Sequence, residues 1–152
     1  MTTKESRTSL SINAGFHRLT VAEVRRETAD AVSIRFDMPA NLREAFAFKA
    51  GQHLTLKADI DGEDVRRTYS LCVAPSDGEF RIAIKMMPGG RFSTWATTAI
   101  KVGQTLEVLP PMGRFVAPDV KAPYYVALAG GSGITPVFSI LKTALLESLR
   151  AR

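Results

Sequence analysis

From Phe16 onward, apolar and polar residues alternate in short runs, each closed by turn residues, the period-two pattern of half-buried strands. Leu19, Val21 and Val24 lie in a first strand, and Val32, Ile34 and Phe36 take alternate positions in a second. Pro39 and Asn41 then open a loop or short helix through Phe48. Gly51 starts a third strand, in which His53, Thr55 and Lys57 oppose Leu54, Leu56 and Ala58. Asp61-Gly62 predicts a hairpin into a fourth strand around Val65–Cys72, and Asp77-Gly78 predicts another into the strand of Phe80, Ile82 and Ile84. After Pro88-Gly89-Gly90 the period changes. RFSTWATTAI has helical spacing, with Phe92, Trp95, Ala96 and Ala99 on one stripe. Leu106 and Val108 make a sixth strand, ended by Pro110-Pro111. Six short antiparallel strands with one inserted helix predict a mainly β protein, a closed or nearly closed barrel.

The last thirty or so residues differ in kind. YYVALA is a continuous apolar run, the mark of a strand buried on both faces of a parallel sheet. GGSG follows as a turn, Thr135 can cap a helix and Pro136 suits its first position. Val137, Ile140, Leu141, Ala144 and Leu145 then share a helical stripe. This is the first strand–turn–helix of a Rossmann-like α/β fold, with no second parallel strand to pair with, and it reads as a fragment of a domain. The expected organisation is a loose Ser/Thr-rich tail over 1–15, a barrel over 16–119 and an incomplete α/β unit over 120–152. A wet, doubly apolar strand is unstable, so the C-terminal segment is expected to pack irregularly or to self-associate with a second copy.

Composition narrows the partners. The 152 residues carry a net charge of +5, with 45% hydrophobic and 23% charged residues, so disordered and fibrous classes are excluded. Basic residues occur in no run longer than a pair and lack the aromatic interleaving of single-strand binders, which argues against nucleic acid and leaves an anionic cofactor or an acidic partner. Cys72 is the single cysteine, which excludes an internal disulfide and any multi-cysteine zinc or iron–sulfur site in this chain. The N-terminus has no apolar core of a secretory signal, and the uncharged stretch Ala122–Leu141 is broken by Gly130, Gly131 and Gly133, so no membrane span is expected and a cytoplasmic location is the default.

Three segments can carry chemistry. In RRTYS, Arg67 and Tyr69 project to one face of an extended strand and Thr68 to the other, with Ser70 at the strand end. An arginine fork one strand repeat from an aromatic plane suits a ligand having a phosphate and a flat ring; a stacked Arg–Tyr pair on an ordinary surface strand fits the same spacing. In GGRFST, a glycine pair opens a helix whose backbone N–H groups form an anion site, with Ser93 near by, although a hairpin-to-helix turn needs the same glycines. GGSGITP follows an apolar run and precedes a helix, as a pyrophosphate loop does, but Pro136 stands at the third glycine position of the dinucleotide fingerprint.

The order of R-x-Y-S on a barrel, G-G-x-x-S at a helix start and G-x-G-x-x-P after a strand resembles the ferredoxin–NADP reductase family, over Phe16 to Leu149. AGQHLTLKA, DGEDVRRTYSLC and GGRFSTWA look most like the reductase components of phenylacetyl-CoA oxygenase systems. The resemblance implies FAD (or FMN) on the barrel, NADH or NADPH as donor, and electrons passed to a 2Fe-2S centre of a ferredoxin or oxygenase partner. It further implies that Arg67 holds the flavin pyrophosphate with Thr68 beside it in the cofactor site, that Tyr69 lies on the isoalloxazine, and that Ser70, the catalytic position, donates toward N5. Ile84 and Lys85 would line the ribityl and adenosine side, and Gly90, Arg91, Phe92 and Ser93 the pyrophosphate. Gly131, Ser132, Gly133 and Thr135 would meet the nicotinamide dinucleotide. Most of a nicotinamide domain and the four cluster cysteines have no counterpart here, so turnover with NAD(P)H is expected to be weak. The alternatives are a flavin-binding module without turnover and an apo barrel used for protein contacts.

Other residues have plain readings. His17 and His53 lack metal-ligand partners spaced near them in sequence and are expected to have structural or surface roles, Cys72 to be a small buried residue, and Trp95 part of the core.

Overall fold

The computed structural model describes residues 15–117 and 124–150. The expected tail up to residue 14 and the expected boundary at 119–120 lie outside the described residues. Six strands form one antiparallel sheet: β1 (His17–Thr28), β2 (Ala31–Asp37), β3 (His53–Ile60), β4 (Glu63–Ser70), β5 (Phe80–Lys85) and β6 (Thr105–Val108). Their spatial order is β4-β3-β6-β1-β2-β5. The alternating pattern is what builds them. Leu54, Leu56, Ala58 and Ile60 of β3 are buried, as are Leu19 and Val21 of β1 and Ile82 and Ile84 of β5. Each large side chain so enclosed contributes roughly 1.5–3 kcal/mol. Phe46, from the loop after β2, is fully buried and meets the rings of His17 and Phe80 edge-on at 5.5 and 5.9 Å.

Asp61 and Gly62 turn the β3–β4 hairpin with φ of 56° and 77°, the left-handed pair a two-residue hairpin needs. Asp77-Gly78 does something else. Pro75–Asp77 is a 3-10 turn ended by Gly78 at φ 70°, and β4 and β5 form no ladder. They approach through one isolated bridge, Leu71↔Ile82, continued by Cys72 N–H donating to the Arg81 carbonyl at 3.0 Å. The hairpin expectation fails because a dipeptide able to turn does not choose what its flanks pair with: β5 already has β2 along its length. The barrel therefore closes by a narrow seam.

Helix α1 (Arg91–Thr98) lies against β2, β3, β4 and β5. It buries Phe92, Ser93, Ala96 and Thr97, whereas Ala99, expected on the apolar stripe, is exposed just beyond the helix end. Helix α2 (Ile134–Arg150) follows a 3-10 turn over Gly131–Gly133. Thr135 is its second residue rather than its cap, and its hydroxyl donates back to the Ser132 carbonyl at 3.0 Å. Nor is Tyr124–Ala129 a strand. The segment has no strand conformation and is exposed, Val126 and Leu128 each at 90%. A strand exists only with a ladder partner, and among the described residues none is offered to it. Helix α2 itself is regular and docked on the barrel.

Candidate functional site

β4 has a neighbour, β3, on one side only. In register, Arg67 stands opposite Leu56 and Tyr69 opposite Leu54, and cross-strand partners share a face. Arg67 and Tyr69 therefore lie on the inward face, at the edge where the sheet runs out. Arg67 is exposed, and its guanidinium donates to the Arg66 carbonyl at 2.6 Å. Among the described residues no carboxylate pairs with it, although Arg25, Arg35, Arg66, Arg81 and Arg91 are all ion-paired. Tyr69 is half-buried, its ring centroid 5.7 Å from that of Phe92. Burial raises its phenol pKa, opposed by the positive charge of Arg67. Thr68 is exposed and faces Thr55, with the hydroxyls 3.5 Å apart; Ser70 closes the strand half-buried.

The contact of Tyr69 with Phe92 brings the start of α1 to the same edge. Gly89 has φ 72°, open only to glycine without strain, and a Cβ on Gly90 would stand 2.5 Å from Ser93 Oγ and 3.1 Å from the Met87 carbonyl. The first-turn amides have no side-chain cap. Uncapped amides at a helix start favour an anion, and Arg67 supplies a second positive element. Two expected ligand side chains are already engaged. Ser93 Oγ is buried, accepts from Met87 N at 3.1 Å and donates to the Gly90 carbonyl, fixing the turn. Arg91 pairs with Glu63 and donates to the Ile60 carbonyl at 2.8 Å, tying α1 to the β3–β4 hairpin. At these two positions the polar groups of the side chain are spent within the protein.

The Ile84 side chain is fully buried in the core, which leaves its backbone to meet any ligand at that position; Lys85 is exposed and pairs with Asp30 at 3.3 Å. Inward alternation explains the first, since Ile84 occupies the same register as Ile82. Gly131 and Ser132 are exposed and Gly133 half-buried, and the turn is closed on itself by Gly133 N–H donating to the Gly130 carbonyl at 3.1 Å.

Two arrangements had no sequence signal. Arg81, on the outward face of β5, is 93% buried: it donates to Ser33 Oγ at 3.0 Å and pairs with Glu79 and Glu23. Arg35, directly opposite it, also reaches Glu23, at 3.5 Å. These hydrogen bonds, that of Arg81 foremost, lower the Glu23 pKa. The second is Ser139 of α2, wholly buried, donating to the Val73 carbonyl at 2.6 Å. Between α2 and the barrel lies a cleft of about 590 Å³ lined by Arg25, Cys72, Arg81, Phe138 and Lys142 among others. A cavity of about 410 Å³ flanks α1, lined by Ile60, Gly90 and Trp95 among others. Burial pushes the Cys72 thiol up to about 11, the state of an inert packed residue. Among the described residues no group of His, Cys, Asp and Glu could hold a metal ion, and no helix is long and apolar enough to cross a membrane.

Comparison with known proteins fits this geometry. The family described as oxidoreductase FAD-binding domain matches residues 18–116. A component of the 1,2-phenylacetyl-CoA epoxidase of Escherichia coli (strain K12) is 51% identical over 132 residues, 86% of this chain and 37% of the relative. The ferredoxin reductase component of 3-ketosteroid-9-alpha-monooxygenase from Rhodococcus rhodochrous is 44% identical over 85% of this chain and 37% of its own length. The chain thus spans a little over a third of these curated relatives. Among solved structures, phthalate dioxygenase reductase, described as a modular structure for electron transfer from pyridine nucleotides to [2Fe-2S], superposes with a TM-score of 0.74 at 31% identity, covering 88% of this chain and 40% of the other. The ferredoxin reductase in carbazole 1,9a-dioxygenase gives 0.71 at 30% identity, over 87% and 39%.

Proposed function

Since the chain belongs to the oxidoreductase FAD-binding domain family, we propose that it is the flavin-binding portion of a reductase serving a multicomponent oxygenase. The observation that carries this reading is the exposed Arg67 guanidinium at the barrel edge, which has no carboxylate partner among the described residues and lies two residues from the half-buried Tyr69 ring and beside the uncapped start of α1. A cation, an aromatic plane and first-turn amides without a side-chain cap together fit a flat ring joined to a phosphate.

The residues divide the work by chemistry. Arg67 and the amides of Arg91 and Phe92 hold the pyrophosphate, the first as a fork, the others as a helix terminus, while the Gly90 amide closes the turn onto the Met87 carbonyl at 2.9 Å. The Gly89–Gly90 turn admits the phosphate because it carries no Cβ, and the Ser93 hydroxyl keeps that turn shaped before binding. Tyr69 offers a ring face braced by Phe92, and Ser70 places a hydroxyl at the ring edge. Once bound, FAD supplies the two-electron to one-electron conversion that links a nicotinamide donor to an iron–sulfur acceptor. The protein contributes position and charge, and its basic balance suits an acidic partner. The likeness to phthalate dioxygenase reductase, described as transferring electrons from pyridine nucleotides to [2Fe-2S], makes NAD(P)H the donor and a 2Fe-2S centre the acceptor in this proposal.

The test is flavin content. The purified chain, incubated with excess FAD and desalted, is expected to retain close to one flavin per chain, with extraction and chromatography returning FAD. FMN retained in its place would revise the cofactor, and a colourless protein would refute the reading.

A further inference from the structure

The candidate site has two halves carried by different elements, a ring on β4 and first-turn amides on α1, and one residue belongs to both. Phe92 is the second residue of α1. Its backbone lies in the first turn, where a helix favours an anion. Its side chain is 1% exposed, and its ring centroid stands 5.7 Å from that of Tyr69 with the two planes tilted by 36°.

Tyr69 has use for such a support. Its strand is bordered by β3 alone, and its cross-strand partner Leu54 is wholly buried. A half-buried tyrosine at a sheet edge can turn about two side-chain bonds, and ordering those torsions costs free energy when a ligand stacks on the ring. Phe92 can order them beforehand because it is itself held. Trp95, three residues on along the same helix face, meets the Phe92 ring edge-on at 5.5 Å and 66°. The helix is fastened near both ends. Arg91 donates to the Ile60 carbonyl at 2.8 Å, and Arg26 of β1 donates to the Thr97 carbonyl at 3.2 Å. A ring carried on a helix so held is a fixed stop for the ring of Tyr69.

We propose that Phe92 is a positioning residue: it sets the plane of the Tyr69 ring relative to the start of α1, so that ring platform and phosphate cradle stand in one relation before cofactor arrives. Being almost wholly buried, the Phe92 side chain offers the cofactor little surface of its own and acts through Tyr69. The inference rests on the reading of this edge as the flavin site and adds the residue that couples its two halves. An ordinary core phenylalanine governs only how firmly the helix is packed. A positioning one also governs how the bound ring is held.

Phe92→Leu removes the ring and keeps an apolar side chain in the core; Phe92→Met, longer and more adaptable, is the second variant should the first leave a destabilising cavity. FAD is titrated into each variant in the parent background and again in Tyr69→Ala. Loss of the ring contact is expected to weaken binding by about 3- to 10-fold in the parent background. Where Tyr69 is already gone, the same substitution is expected to change binding by less than about twofold, because the two residues act as a pair. Flavin that stays bound to Phe92→Leu is expected to be brighter than in the parent, with an altered visible circular dichroism spectrum. A loosened helix start would instead weaken binding equally in both backgrounds and leave the spectra of bound flavin as in the parent; either finding overturns the proposal, and so do unchanged affinity and spectra together. A parent chain that takes up no FAD refutes the flavin reading, and the inference falls with it. A parent that binds FAD while Phe92→Leu behaves as a loosened helix refutes the inference alone.

Discussion

Gly51→Ala is the most demanding single test of how the barrel, the chain after β6 and α2 fit together. Gly51 has φ 96°, and a Cβ there would stand 2.0 Å from the Phe115 carbonyl oxygen and 2.9 Å from Ile140 Cδ1. Two costs follow. An L residue forced to that φ loses roughly 1–2 kcal/mol. Overpacking adds about 1–3 kcal/mol, toward the upper end here because the nearest atom is backbone and cannot swing aside. The total is about 2–5 kcal/mol. For a chain of this size each kcal/mol lowers Tm by roughly 2–4 °C, so a fall of at least ~4 °C is expected. Gly62→Ala supplies the control: φ is 77°, yet nothing lies within 4 Å of its Cβ, so only the conformational cost remains. Urea unfolding of the three proteins, read by circular dichroism, is the assay. Equal losses for the two variants would refute the close approach of Phe115 and Ile140 to Gly51.

Tyr69→Ala is expected to brighten flavin that stays bound, because a stacked phenol quenches it; flavin already as bright in the parent as free in solution would rule out stacking. Arg81→Met is expected to flatten the acid dependence of stability. The Glu23 carboxyl is held below its ordinary 4.5 chiefly by its hydrogen bond from Arg81, so that contribution is present above the unfolded value and is lost as pH falls through the folded one. Stability curves of parent and variant that run parallel from pH 7 down to about 3 would contradict that assignment. Cys72, with its thiol pushed up to about 11, is expected to react with iodoacetamide at pH 7 far more slowly in the folded chain than in urea, and equal rates would count against its burial.

The strands were legible because one face of each is core. Val32, Ile34 and Phe36, or Leu54 and Leu56, announce a strand by periodicity alone, and Asp61-Gly62 announces its turn by the left-handed conformation it tolerates. Pairing was less legible. Asp77-Gly78 carries the same local signal as Asp61-Gly62, but whether a turn joins paired strands is decided by the whole sheet. YYVALA shows the same limit from the other side: apolar residues express a capacity for burial, and only a neighbour realises it. In the site, spacing placed Arg67 and Tyr69 on one face, and the register puts both inward. Spacing could not show that Ser93 and Arg91 spend their polar groups on the protein itself, since those partners are backbone groups of Met87, Gly90 and Ile60 or, for Glu63, a side chain from across the fold. Ser139 and Arg81 were invisible for a related reason. A lone serine in a helix and an arginine on an outward strand face look solvent-exposed until the opposing surface is known.

Two adjacent arginines allow the central claim to be tested by geometry rather than by charge alone. Arg67 is inward and unpaired among the described residues; Arg66 is outward and bound to Asp64 at 2.8 Å. Calorimetric titration of FAD into the parent, Arg67→Ala and Arg66→Ala chains measures the difference. Loss of a charge-assisted contact at Arg67 is expected to weaken binding by roughly 1.5–3 kcal/mol, about 10- to 150-fold, with Arg66→Ala within about twofold of the parent. Equal weakening by both substitutions, or none by Arg67→Ala, would contradict the assignment of this edge as the flavin site.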